Sequence, residues 1–167
     1  AEQTLFRAMQ ICERSDNQPA LWPALARWAT VLRHQGRYSE ALDQLYRRAP
    51  EASQSEDPAP YIELLLSMAW IELDLSRLGR AQECHDELAA TVHRGEHLQL
   101  RLETQLLNGR ILLASGQYRS AAYVLQEVHR GARQADLPVL AEQGRALHAE
   151  TVFALGDREA AATMFQS

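Results

Sequence analysis

Apolar residues recur three and four positions apart along most of the chain, as in Leu21, Leu25, Trp28 and Leu32. This spacing puts an apolar stripe on one face of an α-helix, whereas a half-buried strand would alternate at every second residue. Glycines and short polar segments interrupt the stripe and mark helix ends. The pattern therefore predicts an all-α fold with helices at about 2–14, 20–35, 38–50, 60–75, 78–93, 97–115, 118–134, 138–155 and 158–166.

The sequence repeats with a period of 40 residues. Similar segments begin at Gly36, Ser76, Gly116 and Gly156, and each has alanine five positions later. One column of small residues holds Ala1, Ala41, Ala81, Ala121 and Ala161, a second holds Ala29, Ala69, Gly109 and Ala149, and a bulky column holds Leu5, Leu45, His85, Leu125 and Phe165. Because small side chains allow helices to cross at close range, the columns predict antiparallel helical hairpins that nest against one another.

Two repeats carry a recognisable set of residues at these positions, namely Ala29, Gly36, Tyr38, Ala41 and Leu45, and then Gly109, Gly116, Tyr118, Ala121 and Leu125. This set resembles the tetratricopeptide (TPR) family over nearly the whole chain. The resemblance implies an α-α superhelix, a solenoid of antiparallel hairpins with a concave groove for protein partners. The chain departs from the family pattern at Ser76, Leu78 and Arg158, and its period exceeds the usual ~34 residues, which implies longer helices, longer linkers or both.

A second resemblance concerns the C-terminal third. The segments Leu137–Glu142 and Ala154–Ala161 are similar to the long repeats in the sensor region of maltose-regulator-type bacterial transcription activators. That resemblance implies a regulatory arm that binds an inducer or a partner protein, and it carries over no site residue.

The period also predicts the domain organisation. We expect one TPR-like repeat domain over 1–167, with a partial repeat at 1–18, repeats at about 19–58, 59–98 and 99–138, and an incomplete one at 139–167. Since Ala1 falls in the column of the second helix, the chain is expected to be a piece of a larger protein. Such an array exposes apolar faces at its ends, which favours homo-oligomers.

Composition removes several classes of function. All 17 basic residues are arginine against 22 acidic residues, and the net charge is −5. Without lysine there is no Schiff-base chemistry and no phosphate loop ending in Gly-Lys-Ser/Thr. The absence of a basic run argues against direct nucleic-acid binding, and no apolar stretch is long enough to span a membrane.

Cysteine and histidine offer little chemistry. Cys12 and Cys84 are too few for a disulfide framework and suit a reducing compartment, so we expect a cytoplasmic protein. Neither has a histidine and a carboxylate at a useful helical spacing, which favours a non-enzyme. His93 and His97 are separated by a predicted turn at Gly95 and have no third ligand nearby, so neither a metal nor a cofactor is expected.

The TPR resemblance also implies which residues line the groove. At the lining positions, Trp70 is the candidate anchor for a peptide or helix, and the polar candidates around it are Arg33, His34, Asp74, Arg110 and Glu150. Arg33 and Arg110 could hold a carboxylate bidentately. The alternative is that Trp70 and Phe153 belong to the core and that the arginines are merely solvated.

The second full repeat contains two polar residues in apolar columns. Glu72 occupies the column of Leu32, Leu112 and Val152, and His85 occupies the bulky column across the hairpin. One interpretation is a buried Glu–His pair that forms a polar ligand pocket or a pH-sensitive element. The other is a one-residue slip that turns Glu72 towards water.

The leading functional interpretation is a non-catalytic protein-interaction scaffold within a regulatory or signalling protein, in which a partner segment docks in the groove. Two alternatives stay open. One is an inducer-sensing and oligomerisation domain of a bacterial transcription activator. The other is an accessory helical domain of an enzyme whose catalytic part lies elsewhere.

Overall fold

The computed structural model describes residues 2–15, 17–92 and 97–166, and the residues in these ranges form helices joined by turns, with no strand among them. The contacts group into two compact units, Ala1–Glu96 and His97–Ser167, called here the N-terminal and the C-terminal unit. The boundary falls within two residues of the predicted start of a repeat at 99. The expected single domain over 1–167 stays a prediction.

The N-terminal unit contains five helices: α1 (Glu2–Arg14), α2 (Gln18–His34), α3 (Tyr38–Ala52), α4 (Ala59–Asp74) and α5 (Leu78–Val92). Each helix packs against the next one along the chain, and the first helices of successive repeats, α2 and α4, also pack together. The second helices, α3 and α5, do not pack against each other within the described residues. All five helices lie within two residues of their predicted bounds.

The C-terminal unit has the same internal order in four helices: α6 (Leu98–Ala114), α7 (Tyr118–Gln134), α8 (Pro138–Ala154) and α9 (Arg158–Gln166). Neighbours along the chain pack together, and the first helices α6 and α8 again contact each other. The predicted all-α fold of nested antiparallel hairpins is confirmed in both units. In the described part of the chain, no helix is both long and apolar enough to span a bilayer.

The turns after α2, α4, α6 and α8 share one hydrogen-bonded geometry. After α2, Gly36 N–H donates to the Arg33 carbonyl at 3.0 Å and Arg37 N–H donates to the Leu32 carbonyl at 2.9 Å, which is the Schellman arrangement. The central residue needs a positive φ, and Gly36 has 73°. Ser76 takes the same conformation with φ 57°, so the second repeat departs from the pattern in residue type but not in turn geometry.

The columns of small residues are buried where helices pack together. Ala29, Ala69 and Ala149 are fully buried, and Gly109 faces Leu125 so closely that a Cβ there would lie 2.5 Å from Leu125 Cδ2. The other column, Ala41, Ala81, Ala121 and Ala161, is also buried; its first member, Ala1, lies outside the described residues. The packing role inferred from the sequence is confirmed.

The bulky column is less uniform. Leu45 and Leu125 are fully buried, whereas His85 is partly exposed and Phe165, on α9, is 58% exposed. Leu5, on α1, is also intermediate in exposure, so burial in this column does not follow residue type alone.

Candidate functional site

Three of the predicted partner-binding residues meet in the N-terminal unit. Arg33 near the end of α2 donates two hydrogen bonds to Asp74 at the end of α4, from Nε to Oδ2 at 2.6 Å and from Nη2 to Oδ1 at 3.1 Å. The Arg33 guanidinium carbon also lies 5.2 Å from the ring centroid of Trp70, within the range of a cation–π contact. We call Arg33, Trp70 and Asp74 the first-helix cluster.

The first-helix cluster is half-buried rather than part of the core. The Arg33 and Asp74 side chains are 25% and 32% exposed, and Trp70 is intermediate in exposure. A rigid aromatic ring with a fixed charge pair beside it can present both an apolar contact and a polar contact to one ligand. The alternative that Trp70 is simply core does not describe its environment.

The C-terminal unit contains the corresponding pair. Arg110 on α6 donates from Nη1 to both carboxylate oxygens of Glu150 on α8, each at 3.0 Å. This pair is more open than the first, with side chains 38% and 51% exposed. The two arginines are therefore neither merely solvated nor free, since each already holds a carboxylate of the chain itself.

The remaining predicted site residue is His34. It is exposed at the end of α2, and no hydrogen bond or ion pair joins its side chain to another described residue. Phe153 was offered as core in one alternative, and that alternative is wrong, because it is 54% exposed on α8 with the Arg158 guanidinium 5.8 Å from its ring centroid.

The sequence carried a signal for these ion pairs that the residue-by-residue analysis missed. Arg33 and Asp74 are 41 residues apart and Arg110 and Glu150 are 40 apart, close to the repeat period. Residues one period apart occupy equivalent sites on adjacent first helices, which pack against each other in both units. Opposite charges at that separation therefore predict a pair.

Two predictions for Glu72 are wrong, namely its pairing with His85 and its exposure to water, whereas the predicted burial is confirmed. The residue does not face water, since it is only 2% exposed, and its partner is not His85. Glu72 Oε1 accepts a hydrogen bond from the Tyr46 hydroxyl at 3.0 Å, and Oε2 lies 3.4 Å from Arg77 Nη1. His85 instead approaches Gln82 and Asp86 on its own helix. Tyr46 was missed because its repeat position holds no shared residue type from which to infer a contact.

The cysteines are free thiols, and the buried one has an unfavourable setting for reactivity. Burial, followed by the negative charges of Glu72 and Glu87, raises the pKa of Cys84 to about 11. A nucleophilic cysteine needs the opposite shift, towards the thiolate at neutral pH. Cys84 therefore behaves as a small buried hydrophobe.

The part of the chain that the structure describes contains no candidate metal centre. No group of three or more histidine, cysteine or acidic side chains comes together there to hold an ion. His93 and Gly95, which entered the sequence argument about metals, lie outside the described residues, and His97 is exposed just before α6.

Comparison with known proteins supports the fold and goes no further. No protein-family model matches the chain, and no curated protein matches it. Among solved structures it is similar to a point variant of a protein from Podosopora anserina, assigned as a kinesin light chain, with nearly identical TPR-like repeats. The TM-score is 0.67 at 18% identity, over 99% of this chain and 82% of the other. The chain therefore has a TPR-like helical repeat fold.

Proposed function

We propose that the chain is a non-catalytic protein-interaction scaffold, and that a partner segment docks on the first-helix cluster of Arg33, Trp70 and Asp74. Folds of TPR-like repeats commonly serve as protein-binding scaffolds. The observation that carries the proposal is the partly exposed Trp70 ring held beside a bidentate ion pair. Aromatic and arginine side chains in such settings dominate the energetics of many interfaces.

The chemistry of the cluster defines the partner. One face of the Trp70 ring is covered by Arg33, so the partner contributes an apolar side chain to the remaining indole surface. A charged side chain of the partner, next to that apolar one, binds Arg33 or Asp74 in place of the other member of the pair. This contact fixes the position of the partner segment along the surface. His34 lies beside Arg33 in the sequence and is open to the same segment. In the C-terminal unit, Arg110 and Glu150 form the equivalent polar pair for that unit's own contacts.

A peptide selection tests this directly. A random peptide library displayed on phage is selected on the wild-type chain, and the enriched peptides are titrated against Trp70→Ala and against the control Tyr123→Ala, an exposed aromatic on α7. We expect the Kd to rise at least tenfold for Trp70→Ala and to stay unchanged for Tyr123→Ala. Equal binding to both variants, with both still helical by circular dichroism, would contradict the proposal.

The same proposal includes the cellular location and the biological role of the protein. The free thiols of Cys12 and Cys84 support a reducing, cytoplasmic location, and the scaffold fold supports a role in regulation or signalling.

A second candidate, inducer sensing, rests on the resemblance of Leu137–Glu142 to the sensor repeats of maltose-regulator-type activators. It is favoured by an open cleft of about 490 Å³ in the N-terminal unit, lined in part by Asp43, Glu72 and Arg77. Ligand-induced oligomerisation measured by sedimentation is its test.

A further inference from the structure

The N-terminal unit contains a cleft on the side of the second helices. Since α3 and α5 do not pack together, a gap of about 490 Å³ opens between them, with α4 as its floor. Its polar lining consists of Ser39, Asp43 and Tyr46 from α3, Glu72 from α4, Arg77 just before α5, and Arg80 in the first turn of α5. Its volume falls in the range of about 300–1,000 Å³ that is typical of small-molecule sites.

The floor of the cleft is a buried carboxylate where the other repeats have an aliphatic side chain. Glu72 is 2% exposed, while Leu32, at the same position of the previous repeat, is completely buried. A charge at such a depth is costly unless polar groups or a counter-ion compensate it. The replacement therefore needs an explanation beyond packing.

The protein's own groups compensate the buried charge of Glu72 only in part. Burial and the Glu72 carboxylate raise the pKa of Tyr46 to about 12, so its hydroxyl stays protonated and donates to Oε1. Among the described residues, the other oxygen, Oε2, has only the contact to Arg77 Nη1 at 3.4 Å, which is long for a charged hydrogen bond. Glu72 thus keeps an acceptor available to a donor in the cleft.

The rim offers both signs of charge. Asp43 is exposed, and no hydrogen bond or ion pair engages its carboxylate among the described residues. The Arg77 side chain is 57% exposed, and Glu72 is its only ion-pair or hydrogen-bond partner among the residues that the structure describes. Arg80 is partly engaged by Glu83 at 3.0 Å. The cleft therefore combines open acceptors on Glu72 and Asp43 with open donors on Arg77.

We propose that the cleft between α3 and α5 binds a free α-amino acid, with the ammonium group on Glu72 and Asp43 and the carboxylate on Arg77. The short distance between the Glu72 carboxylate and the Arg77 guanidinium is the reason for choosing an α-amino acid as the ligand. Glu72 Oε2 and Arg77 Nη1 lie only 3.4 Å apart, and an α-amino acid carries its two opposite charges at a similarly short separation. A bound amino acid replaces that single long contact by two charge-assisted ones. This site is distinct from the first-helix cluster and does not depend on partner docking there.

Titration calorimetry with the individual L-amino acids tests the proposal. We expect at least one to bind with one-to-one stoichiometry at millimolar or lower concentration. Its decarboxylated amine and its deaminated acid should each bind at least tenfold more weakly, because each loses one charge-assisted contact. If no amino acid binds, or if the amine alone binds as tightly as the amino acid, the proposal fails.

Substitutions inside and outside the cleft show where the amino acid binds. Asp43→Asn and Arg77→Gln alter exposed side chains, so the fold should tolerate them, and each should weaken binding at least tenfold. Arg47→Gln, on the same helix as Asp43 but outside the cleft, is the matched control and should bind as the wild type does. Glu72→Gln keeps the shape of the floor and removes its charge, which should abolish binding. Unchanged binding in Asp43→Asn and Arg77→Gln would overturn the assignment.

Discussion

A methyl group on Gly109 would collide with Leu125. A Cβ built there lies 2.5 Å from Leu125 Cδ2 and 2.6 Å from Cγ, and Leu125 is completely buried, so it has no space into which to retreat. Gly109 belongs to α6 and Leu125 to α7, so this contact sets how closely the hairpin of the third full repeat can close.

We therefore expect Gly109→Ala to destabilise the protein. Overpacking a core costs about 1–3 kcal/mol, and the better helix propensity of alanine returns roughly 1 kcal/mol, which leaves a net loss of up to about 2 kcal/mol. Urea unfolding measures the difference. The control is Gly79→Ala on α5, where a Cβ meets nothing within 4 Å and the propensity gain should appear undiminished. Equal effects of the two variants would contradict the packing role.

The turn after α4 provides a second test. Ser76 holds φ at 57°, a conformation that costs a residue with a Cβ roughly 1–2 kcal/mol and glycine very little. Ser76→Gly should therefore raise the free energy of unfolding by about 1 kcal/mol.

The control for that turn is another serine next to a turn. Ser115 has φ −86°, an ordinary helical value, so Ser115→Gly should bring no gain and should cost up to about 1 kcal/mol. A gain of similar size in both variants would show that the serine hydroxyl, and not the backbone conformation, decides the effect.

The sequence predicted the fold well because the responsible forces are local. Helical periodicity, the alanine columns and the glycines at 36, 116 and 156 each require only the neighbouring turn or the adjacent helix. The environment of Glu72 could not be predicted, because it depends on Tyr46 in the preceding repeat, where no column marks the contact. The Arg33–Asp74 pair is different, because its two residues lie 41 positions apart on first helices that pack together, and the repeat period alone would have predicted it.

The Arg33–Asp74 pair should make a measurable but small contribution to stability. Partly exposed ion pairs contribute about 0.2–1 kcal/mol, and the bidentate geometry places this pair towards the upper end. A double-mutant cycle with Arg33→Gln and Asp74→Asn isolates the coupling. The same cycle on Arg110 and Glu150, which are more exposed and engage through one nitrogen, should give a smaller value. A larger coupling for the second pair would contradict this account.

Cys84 should resist alkylation in the folded protein. Its pKa is raised to about 11, so the thiolate fraction is very small at neutral pH, and the side chain is also buried. Iodoacetamide at neutral pH should therefore add one group to the native chain, at the partly exposed Cys12, and two groups after unfolding in urea. Mass spectrometry of the intact chain counts the adducts, and Cys84→Ser should remove the second one. Rapid double labelling of the native chain would show that the buried setting is wrong.

The stability of the C-terminal unit should depend on pH through His148. Desolvation, with a smaller contribution from nearby His129, lowers the pKa of His148 in the folded state. The unfolded chain then binds a proton more readily, so this contribution is fully present above the unfolded pKa of about 6.5 and is lost as the pH falls towards the folded value. Thermal unfolding of wild type should show a Tm that declines below that pH. His148→Gln should flatten the decline, whereas the exposed His34→Gln should leave it unchanged, and identical slopes for all three proteins would contradict the assignment to His148.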